Sequence, residues 1–462
     1  MVDSMTHRQS VRKLALRVLC QVEMRGGFAD RLVAALAAAQ GLTPQARAFL
    51  RELTYGVLRW RNRLDWMLEH CSDRLLEDLT PAVRNLIRLG AYQLCFMDHL
   101  PPYAAVSETV RLAKQVSHAG VVAYVNAVLR SLERQRGAMS PPEAHTDLIA
   151  YLTITQSHPH WLVDRWLARY GPQQTMAMCH ADNMRAPLVV RVNPRRTTRE
   201  RLLDSLAADN CEAEFCRYAP DGVFIRSHAA LDQLQSYRDG WFTVQDESAI
   251  LCGYLLTPQP GERVLDACAA PGGKATHAAE LMADHGEILC LDRSHHRLNF
   301  VAENAQRLRL KCLRYVVGKA EGIEFKHTFD RILIDAPCSG LGVLRRHPEA
   351  KWRKGPDLIG KMARQQASIL RHLSQFVKPD GLLLYITCST EAEENQYIVK
   401  EFLDRHPDYE LEAVTSHLPN AARVFAQEWG CFQTWPGPES LDGFFGARLR
   451  RTALISTRSG SA

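Results

Sequence analysis

The sequence predicts a multidomain protein in which an all-α bundle, a small α+β unit and an α/β domain with a doubly wound parallel sheet follow one another. Three observations lead to this fold class. Residues 1–136 show helical periodicity and no convincing strand. Residues 148–236 mix short strands with helices. From residue 237 onward, apolar strands alternate with helices of ten or more residues, which is the pattern of a parallel sheet.

Capping residues indicate where the helices of the bundle begin. Ser10 precedes an apolar stripe that Gly26-Gly27 ends, and Thr43-Pro44 and Thr80-Pro81 each place a hydroxyl before a first-turn proline. The helices predicted after the first are Gln45 to Cys71, Ala82 to Met97, Val106 to Val116 and Val121 to Leu132. We therefore expect a helical domain over residues 1–140.

A linker at Gly137 to Asp147 separates the bundle from the remaining chain. A subdomain is expected over 148–236, with a helix from Ser157 to Tyr170, a strand at Pro187 to Asn193, a helix at Thr198 to Ala208, and strands at Cys211 to Arg217 and Gly222 to Arg226. The sheet domain is expected over 237–453, and Trp241 to Gln245 leads into it. Its strands are expected at Arg263 to Cys268, Glu287 to Asp292, Leu313 to Val317, Phe329 to Pro337, Gly381 to Cys388 and, antiparallel, Phe444 to Leu449, and a helix is expected at about Asp357 to Val377.

Composition limits the class of protein. Hydrophobic residues make up 46% of the chain, which suffices for real cores, yet no apolar run reaches eighteen residues and the N-terminus has no apolar signal core. We therefore expect a soluble cytoplasmic protein. The thirteen cysteines form no Cys-x-x-Cys pair and no zinc-type cluster, so no metal site is expected.

Basic residues are concentrated at the N-terminal end. Residues 1–136 hold nineteen Lys and Arg against twelve Asp and Glu, a net +7, which leaves −1 of the total +6 for the rest. Arginines cluster around Trp60, and a second basic run spans Arg191 to Arg199. Such a surplus suits a polyanion such as RNA, and a solvated surface explains it equally well.

The stretch around Arg263 to Lys274 predicts a nucleoside site. A buried strand leads into a Pro-Gly-Gly turn, whose glycines let the backbone approach a ligand and whose following helix presents amides to an anionic group. Asp292 ends the next strand, where such folds place a carboxylate for ribose hydroxyls. The loop lacks both the Gly-x-Gly-x-x-Gly and the phosphate-binding Lys-Ser/Thr patterns, so S-adenosyl-L-methionine fits better than a pyrophosphate. The candidate binding residues are Cys268, Ala269, Ala270, Pro271, Gly272, Gly273, Lys274, Asp292 and Asp335.

Two cysteines, Cys338 and Cys388, stand at the ends of two strands of this sheet. Packing would explain either alone, but two beside a nucleoside pocket favour chemistry. A thiolate that adds to C6 of cytosine makes C5 nucleophilic toward an activated methyl group, and Asp335 could stabilise the ring at N3.

Several motifs together resemble the RNA cytosine-C5 methyltransferases of the Sun family. They are Asp-Ala-Cys-Ala-Ala-Pro-Gly-Gly-Lys (266–274), Asp-Ala-Pro-Cys-Ser (335–339), Arg-Arg-His-Pro-Glu (345–349), Thr-Cys-Ser (387–389) with Glu393-Glu394-Asn395, Gln-Asp-Glu-Ser (245–248) and Asp-Gly-Phe-Phe (442–445). The N-terminal part resembles the NusB antitermination fold. The resemblance implies a NusB-like bundle, a small RNA-binding unit and a Rossmann-like class I methyltransferase domain, acting as a monomer on small-subunit ribosomal RNA without a membrane or metal partner.

The resemblance also implies roles for individual residues. Cys388 is the nucleophile, Cys338 assists release of the methylated RNA, the 268–274 loop and Asp292 bind S-adenosyl-L-methionine, and Asp335 lies between this methyl donor and the target base. One position departs from the family pattern, because Gly318-Lys319 stands where Gly-Asp is usual. A lysine cannot accept a hydrogen bond from the adenine amino group, and Glu321 is a possible substitute.

Two other readings stay open at this point. In a DNA cytosine methyltransferase the Pro-Cys cysteine, Cys338, would be the nucleophile; the basic helical domain and the Thr-Cys-Ser strand end argue against this. A non-catalytic RNA-binding factor could keep the cofactor site for folding or sensing, and the departure at Lys319 is the feature that favours it.

Overall fold

The computed structural model describes residues 10–227, 231–437 and 441–452. The chain divides into two compact units. The helical unit comprises residues 1–185 together with 344–354, and the sheet unit comprises 186–343 together with 355–462. The helical unit thus takes in eleven residues from the middle of the sheet unit's sequence.

Helices make up the regular structure described in the helical unit. They are α1 (Val11–Arg25), α2 (Ala29–Ala39), α3 (Pro44–Arg59), α4 (Arg61–Glu69), α5 (Pro81–Phe96), α6 (Pro102–Val116), α7 (Ala119–Gln135), α8 (Leu148–Ala150), α9 (His160–Asn183) and, in the inserted segment, α15 (Ala350–Arg353), with a 3₁₀ turn at Leu76–Asp78 and a π turn at Tyr151–Thr155. The predicted caps are confirmed, since the hydroxyls of Ser10, Thr43 and Thr80 each accept a hydrogen bond from a first-turn amide.

The single helix predicted over Gln45 to Cys71 is wrong. The backbone leaves helical geometry at Trp60, with φ −103° and ψ 20°, so that α3 ends and α4 begins there. The indole of Trp60 stacks on Phe96 of α5 with ring centroids 5.1 Å apart. Long-range packing therefore accompanies a break at which residues 57–63 include no glycine or proline.

The predicted helix to Tyr170 continues beyond a kink. Gly171 has φ +72° and ψ 175°, outside helical geometry, and Pro172 starts a second stretch that runs to Asn183. Glycine suits the positive φ, and proline suits a first helical turn, because its missing N–H would have no partner there. The prediction stopped at the glycine and omitted the second stretch.

The sheet unit contains two sheets. The smaller one is antiparallel, with strand order β2-β3-β1-β4. Its elements are β1 (Leu188–Val192), α10 (Arg199–Ala208), β2 (Glu212–Phe215), β3 (Gly222–Ser227), a 3₁₀ turn at Leu231–Gln233, α11 (Gln235–Arg238) and β4 (Phe242–Val244). This agrees with the predicted α+β subdomain, although its fourth strand, β4, lies beyond the expected end at residue 236 and pairs with β1.

The larger sheet has the order β10-β12-β9-β8-β5-β6-β7, with β11 paired to β12. Its elements are α12 (Glu247–Tyr254), β5 (Arg263–Ala267), α13 (Gly273–Leu281), β6 (Glu287–Asp292), α14 (His295–Leu308), β7 (Leu313–Val317), β8 (Phe329–Asp335), α16 (Pro356–Ser374), β9 (Val377–Thr387), α17 (Gln396–Arg405), β10 (Tyr409–Glu412), β11 (Phe432–Gln433) and β12 (Phe445–Arg451), with 3₁₀ turns at Leu341–Val343, Val414–His417 and Asn420–Phe425. Strands β5 to β9 pair in parallel, whereas β12 pairs antiparallel to β9 as predicted.

Arg191 is not an RNA contact, contrary to the expectation for the basic run. Its side chain is fully buried, and its guanidinium donates to both carboxylate oxygens of Glu280 on α13, at 2.8 and 3.1 Å. The neighbouring Arg195 and Arg196 are exposed. The first arginine of the run therefore ties the small sheet to the large one, and only the others face solvent.

None of the helices within the described parts of the chain combines the length and the apolar character needed to span a membrane.

Candidate active site

The functional groups named from the sequence gather at one edge of the large sheet. Strands β5, β6, β8 and β9 run in parallel, and the register pairs Ala267 with Leu291 and Asp335 with Ile386. Their carboxyl ends therefore lie side by side. In open α/β sheets this edge is where ligands bind.

The loop after β5 is built around a glycine that cannot be replaced without strain. Gly272 has φ +104°, and a Cβ there would lie 2.9 Å from a side-chain carbon of Val301 on α14. Helix α13 starts at the next residue, so its first amides open toward the loop. The guanidinium of Arg297 donates to the carbonyl of Ala270 at 2.5 Å and holds the other side of the loop.

Asp292 is the last residue of β6, and only one of its two carboxylate oxygens accepts a hydrogen bond from a described residue. Oδ1 accepts the amide of Ser294 at 3.0 Å, whereas Oδ2 lies 3.1 Å from Nη1 of Arg297 as an ion pair and has no hydrogen-bond partner among the described residues. The side chain is only 2% exposed. Such a buried oxygen is well suited to a ligand hydroxyl.

Lys274 reaches across to β8. Its ammonium donates to Oδ2 of Asp335 at 2.7 Å and lies 5.3 Å from the ring centroid of Phe444. Burial opposes the charge of Lys274, but the carboxylate and hydrogen bond of Asp335 prevail and raise the pKa of Lys274. The structure thus connects two predicted site residues from different strand ends in one ion pair.

The two strand-end cysteines meet. Sγ of Cys338 lies 3.2 Å from Sγ of Cys388, within hydrogen-bond distance for thiols. The hydrogen bond with Cys388, followed by burial, raises the pKa of Cys338 well above its ordinary value. Cys338 is therefore held as a protonated thiol that can donate to the sulfur of Cys388.

Asp266 is an acidic residue of the site whose role the sequence did not indicate. It is 1% exposed, and neither carboxylate oxygen has a hydrogen-bond partner among the described residues. Burial, followed by the nearby Asp335 charge, raises the pKa of Asp266 well above its ordinary value, so a neutral acid stands beneath the loop. The available signal was its position as the first residue of the 266–274 motif.

The position that departs from the family pattern is on the surface. Lys319 is exposed, and the proposed substitute, Glu321, accepts a hydrogen bond from Gln365 at 2.6 Å. Glu321 is therefore engaged by α16 in this structure.

The Gln-Asp-Glu-Ser motif joins parts of the sheet unit. Glu247 accepts the backbone amides of Tyr218 and Ala219 at 2.7 and 2.9 Å, and the hydroxyl of Ser248 donates to the carbonyl of Asp442 at 2.9 Å. Glu247 and Ser248 thereby anchor the small sheet and the segment that precedes the last strand.

The segment that carries Arg-Arg-His-Pro-Glu belongs to the helical unit. The indole of Trp352 donates to the carbonyl of Leu58, Lys351 donates to Oδ1 of Asn183 at 2.8 Å, and Oε1 of Glu349 accepts the Ala29 amide at 3.2 Å. A group with metal-ligand spacing also occurs here: Asp30, His347 and Glu349 offer atoms within 4.8 Å of one another, and no ion is present. The hydrogen bond from the Ala29 amide gives Glu349 a structural role, because it caps the start of α2.

Comparisons with known families agree with this architecture. The model described as "16S rRNA methyltransferase RsmB/F" matches residues 253–450, the NusB family model matches 9–134, and a ferredoxin-like domain model of RsmF/B-like methyltransferases matches 158–232. These matches support the three-part fold class predicted from the sequence; the boundaries at 140, 148, 236 and 237 stay predictions.

Two curated relatives cover nearly the full chain. The probable ribosomal RNA small subunit methyltransferase B of Bacillus subtilis is 36% identical over 448 residues, 96% of this chain and 99% of the relative. The ribosomal RNA small subunit methyltransferase B of Klebsiella pneumoniae is 36% identical over 452 residues, with the same coverage.

Solved structures share the fold. The crystal structure of PH0851 superimposes with a TM-score of 0.81 at 24% identity and covers 96% of this chain and 98% of its own. NSun6 from Pyrococcus horikoshii, crystallised with SFG, has a TM-score of 0.58 at 20% identity and covers 64% of this chain and 99% of its own.

Proposed function

The chain belongs to the RsmB/F family of 16S rRNA methyltransferases, and from this membership we propose that it methylates C5 of a specific cytosine in small-subunit ribosomal RNA. The proposal includes S-adenosyl-L-methionine as methyl donor and a covalent bond between Cys388 and C6 of the base. The observation that carries it is the pair of thiols 3.2 Å apart at the sheet edge that also holds the Gly-rich loop.

The residues at this edge suit the methyl donor. The loop from Cys268 to Lys274 offers helix-terminal amides to the amino-acid head, and Oδ2 of Asp292, which has an ion pair but no hydrogen bond among the described residues, suits a ribose hydroxyl. When bound, S-adenosyl-L-methionine supplies an electrophilic methyl group. A compound without phosphate also agrees with the absence of a pyrophosphate-binding motif in this loop.

Cys388 provides the nucleophile in this mechanism. Its thiolate adds to C6, the electron pair of the C5–C6 double bond moves toward C5, and C5 becomes able to form the new carbon–carbon bond. Cys338 keeps its proton and donates toward the sulfur of Cys388, which stabilises negative charge there. This arrangement favours Cys388 over Cys338 as the nucleophile and argues against the DNA-methyltransferase reading.

Asp335 is assigned to the pyrimidine ring. Its Oδ2 accepts from Lys274, and its side chain is one-third exposed at the edge. N3 takes a proton from solvent as the thiolate adds to C6, and Oδ1 can then accept a hydrogen bond from the protonated N3. Loss of the C5 proton to solvent, followed by elimination of Cys388 as a thiolate and loss of the N3 proton, restores the aromatic ring and releases the RNA, and Cys338 assists this release.

The first experiment transfers labelled methyl from S-adenosyl-L-methionine to unmodified small-subunit ribosomal RNA and maps the labelled base. We expect label at C5 of one cytosine. Transfer to another atom would refute the cytosine-C5 proposal. Binding of both partners without any transfer would instead support the non-catalytic RNA-binding reading, which the departure at Lys319 favours.

Cysteine variants test the roles of the two thiols. Cys388→Ala should abolish transfer and leave binding of S-adenosyl-L-methionine intact, because the thiolate is needed only for bond formation. Cys338→Ala should accumulate a protein–RNA adduct visible on denaturing gels. Cys431→Ala removes another buried thiol of the sheet unit and serves as the control. Normal transfer by Cys388→Ala would show that the nucleophile is misassigned.

A further inference from the structure

A buried carboxylate lies directly behind the two thiols. Each cysteine is followed by a serine, and the hydroxyls of Ser339 and Ser389 lie 3.1 Å apart. Both hydroxyls donate to the same oxygen, Oε2 of Glu394. The residues that follow the two cysteines are therefore joined through one side chain.

The second oxygen of Glu394 is occupied as well. Oε1 accepts the backbone amide of Ser339 at 2.6 Å and the Nε2 amide of Gln366 at 3.1 Å. Gln366 on α16 also donates to the carbonyl of Pro337 at 2.9 Å, one residue before the first cysteine. The carboxylate thus accepts four hydrogen bonds and connects the loop after β8, the turn after β9 and α16.

The carboxylate itself is held in place. Glu394 is 0% exposed, its backbone carbonyl accepts the hydroxyl of Tyr385 at 2.6 Å, and the next residue, Asn395, donates to the carbonyl of Ser389 at 2.8 Å. A buried carboxylate is costly unless donors compensate it, and here four donors converge on it. A buried carboxylate that needs four donors and lies directly behind two thiols indicates a role beyond packing.

We propose that Glu394 is a positioning residue, which fixes the Cys338 and Cys388 thiols at their mutual distance by holding the serine that follows each of them. The consequence for catalysis rests on the proposed cytosine-C5 methylation, whereas the consequence for thiol spacing does not. The Glu394 carboxylate acts on the thiols through Ser339 and Ser389, with Gln366 as a further link to Pro337, and takes no part in bond making.

Three kinds of variant separate positioning from simple stabilisation. Glu394→Ala removes all four acceptor interactions. Glu394→Gln keeps them in another form, since the amide oxygen can accept from the Ser339 amide and Gln366 while the amide nitrogen donates to the two hydroxyl oxygens, which can rotate. Ser339→Ala and Ser389→Ala each remove one hydroxyl. Ser374→Ala removes a buried serine hydroxyl of α16 that donates to the carbonyl of Arg371 and is the matched control.

The first readout is the spacing of the thiols in the full chain without RNA. Dibromobimane becomes fluorescent when it joins two neighbouring thiols, and peptide mapping assigns the product to Cys338 and Cys388. We expect rapid joining in the wild type, Glu394→Gln and Ser374→Ala, slower joining in each serine variant, and the slowest in Glu394→Ala. Melting temperature and S-adenosyl-L-methionine binding establish that each variant is folded.

The second readout is steady-state methylation. Glu394→Ala should lower kcat about 100-fold, as expected when reacting groups are displaced by about 1 Å, with KM for RNA and for S-adenosyl-L-methionine nearly unchanged. Glu394→Gln should restore most of this loss. If Glu394→Ala does not fold, the two serine variants provide the same comparison.

The outcomes separate the two proposals. A folded Glu394→Ala protein that joins its thiols and methylates like the wild type would overturn the positioning role, as would a folded Glu394→Gln protein that loses as much as Glu394→Ala. Thiol joining that depends on Glu394 in a protein that methylates no cytosine would support the positioning role and refute the proposed function.

Discussion

Replacing Arg191 by methionine should destabilise the sheet unit strongly. Arg191 is fully buried and donates to both oxygens of Glu280, to the carbonyl of Gly273 and to the hydroxyl of Thr276. Methionine fills a similar volume without charge, so Glu280 stays buried with its only ion-pair partner among the described residues removed. The change therefore leaves a buried carboxylate uncompensated and also removes the donors to Gly273, Thr276 and Gln245.

The magnitude follows from the burial of both partners, at 0% and 2% side-chain exposure. Removing one member of a buried ion pair costs about 3–5 kcal/mol. For a unit of this size, each kcal/mol lowers the melting temperature by about 2–4 °C, so a drop of roughly 10 °C is expected. Arg191→Met with Glu280→Met removes both charges and should recover much of this loss.

The loss should depend on pH with a defined sign. Burial raises the pKa of Glu280, and Arg191 opposes that rise. Without Arg191 the pKa must rise further. A carboxyl group whose folded pKa lies above its unfolded pKa contributes full stability below the unfolded pKa and loses it as pH rises through the folded pKa. The deficit of Arg191→Met should therefore be larger at pH 8 than at pH 5.

Differential scanning calorimetry of the full chain at pH 5 and pH 8 tests these expectations, with the transition of the sheet unit assigned by hydrogen exchange of β5 and α13. In Arg191→Met with Glu280→Gln, the pH-dependent part of the deficit should disappear. The reasoning is refuted if Arg191→Met melts within 2 °C of the wild type at pH 8, or if the Arg191→Met and Glu280→Met double variant melts below the single one.

Three further predictions concern other parts of the chain. Asp292→Asn keeps the acceptor for the Ser294 amide but loses the charge, so calorimetric titration should show about tenfold weaker binding of S-adenosyl-L-methionine; an unchanged Kd would remove Asp292 from the site. Lys319→Asp restores a hydrogen-bond acceptor at the position that departs from the family pattern and should tighten binding of S-adenosyl-L-methionine. Weaker binding would contradict the inference that an acceptor at this position contacts the adenine amino group. Trp352→Ala removes an indole that donates to the carbonyl of Leu58 and should destabilise the helical unit by about 2–4 kcal/mol. Hydrogen exchange in α3 should become faster, and Trp352→Phe should give an intermediate rate; unchanged exchange would show that segment 344–354 adds no stability.

Local patterns explain what could be predicted from the sequence. Strand β6 has the predicted bounds because its apolar run, residues 288–291, is short and continuous. Strand β7 also has the predicted bounds, although Arg314 interrupts its apolar residues. The caps at Ser10, Thr43 and Thr80 were predictable because each hydroxyl lies only three residues before the backbone amide that donates a hydrogen bond to it. The meeting of the two strand-end cysteines also followed, since parallel strands end at the same edge.

Long-range contacts explain what could not be predicted. Arg191 looked like part of a basic surface because its partner, Glu280, lies 89 residues away. Trp60 breaks a helix although residues 57–63 include no glycine or proline, and it stacks on a ring 36 residues later in the chain. The role of Glu394 depends on two serines from different strand ends. In each case the decisive partner is distant in sequence, and single-residue propensities carry no information about it.

The inserted segment 344–354 has a consequence for the order in which the protein can be made. Domains generally form as units during synthesis, from the N-terminus onward. Here the Ala29 amide and the Leu58 carbonyl bond to Glu349 and Trp352, so the ribosome must add about three hundred further residues before those partners exist. The helical unit must therefore wait in an incomplete form while β5 to β8 are synthesised. Completion of one unit is tied to translation of the other, and residues 1–185 released alone would lack the hydrogen bonds that Glu349 and Trp352 make to Ala29 and Leu58.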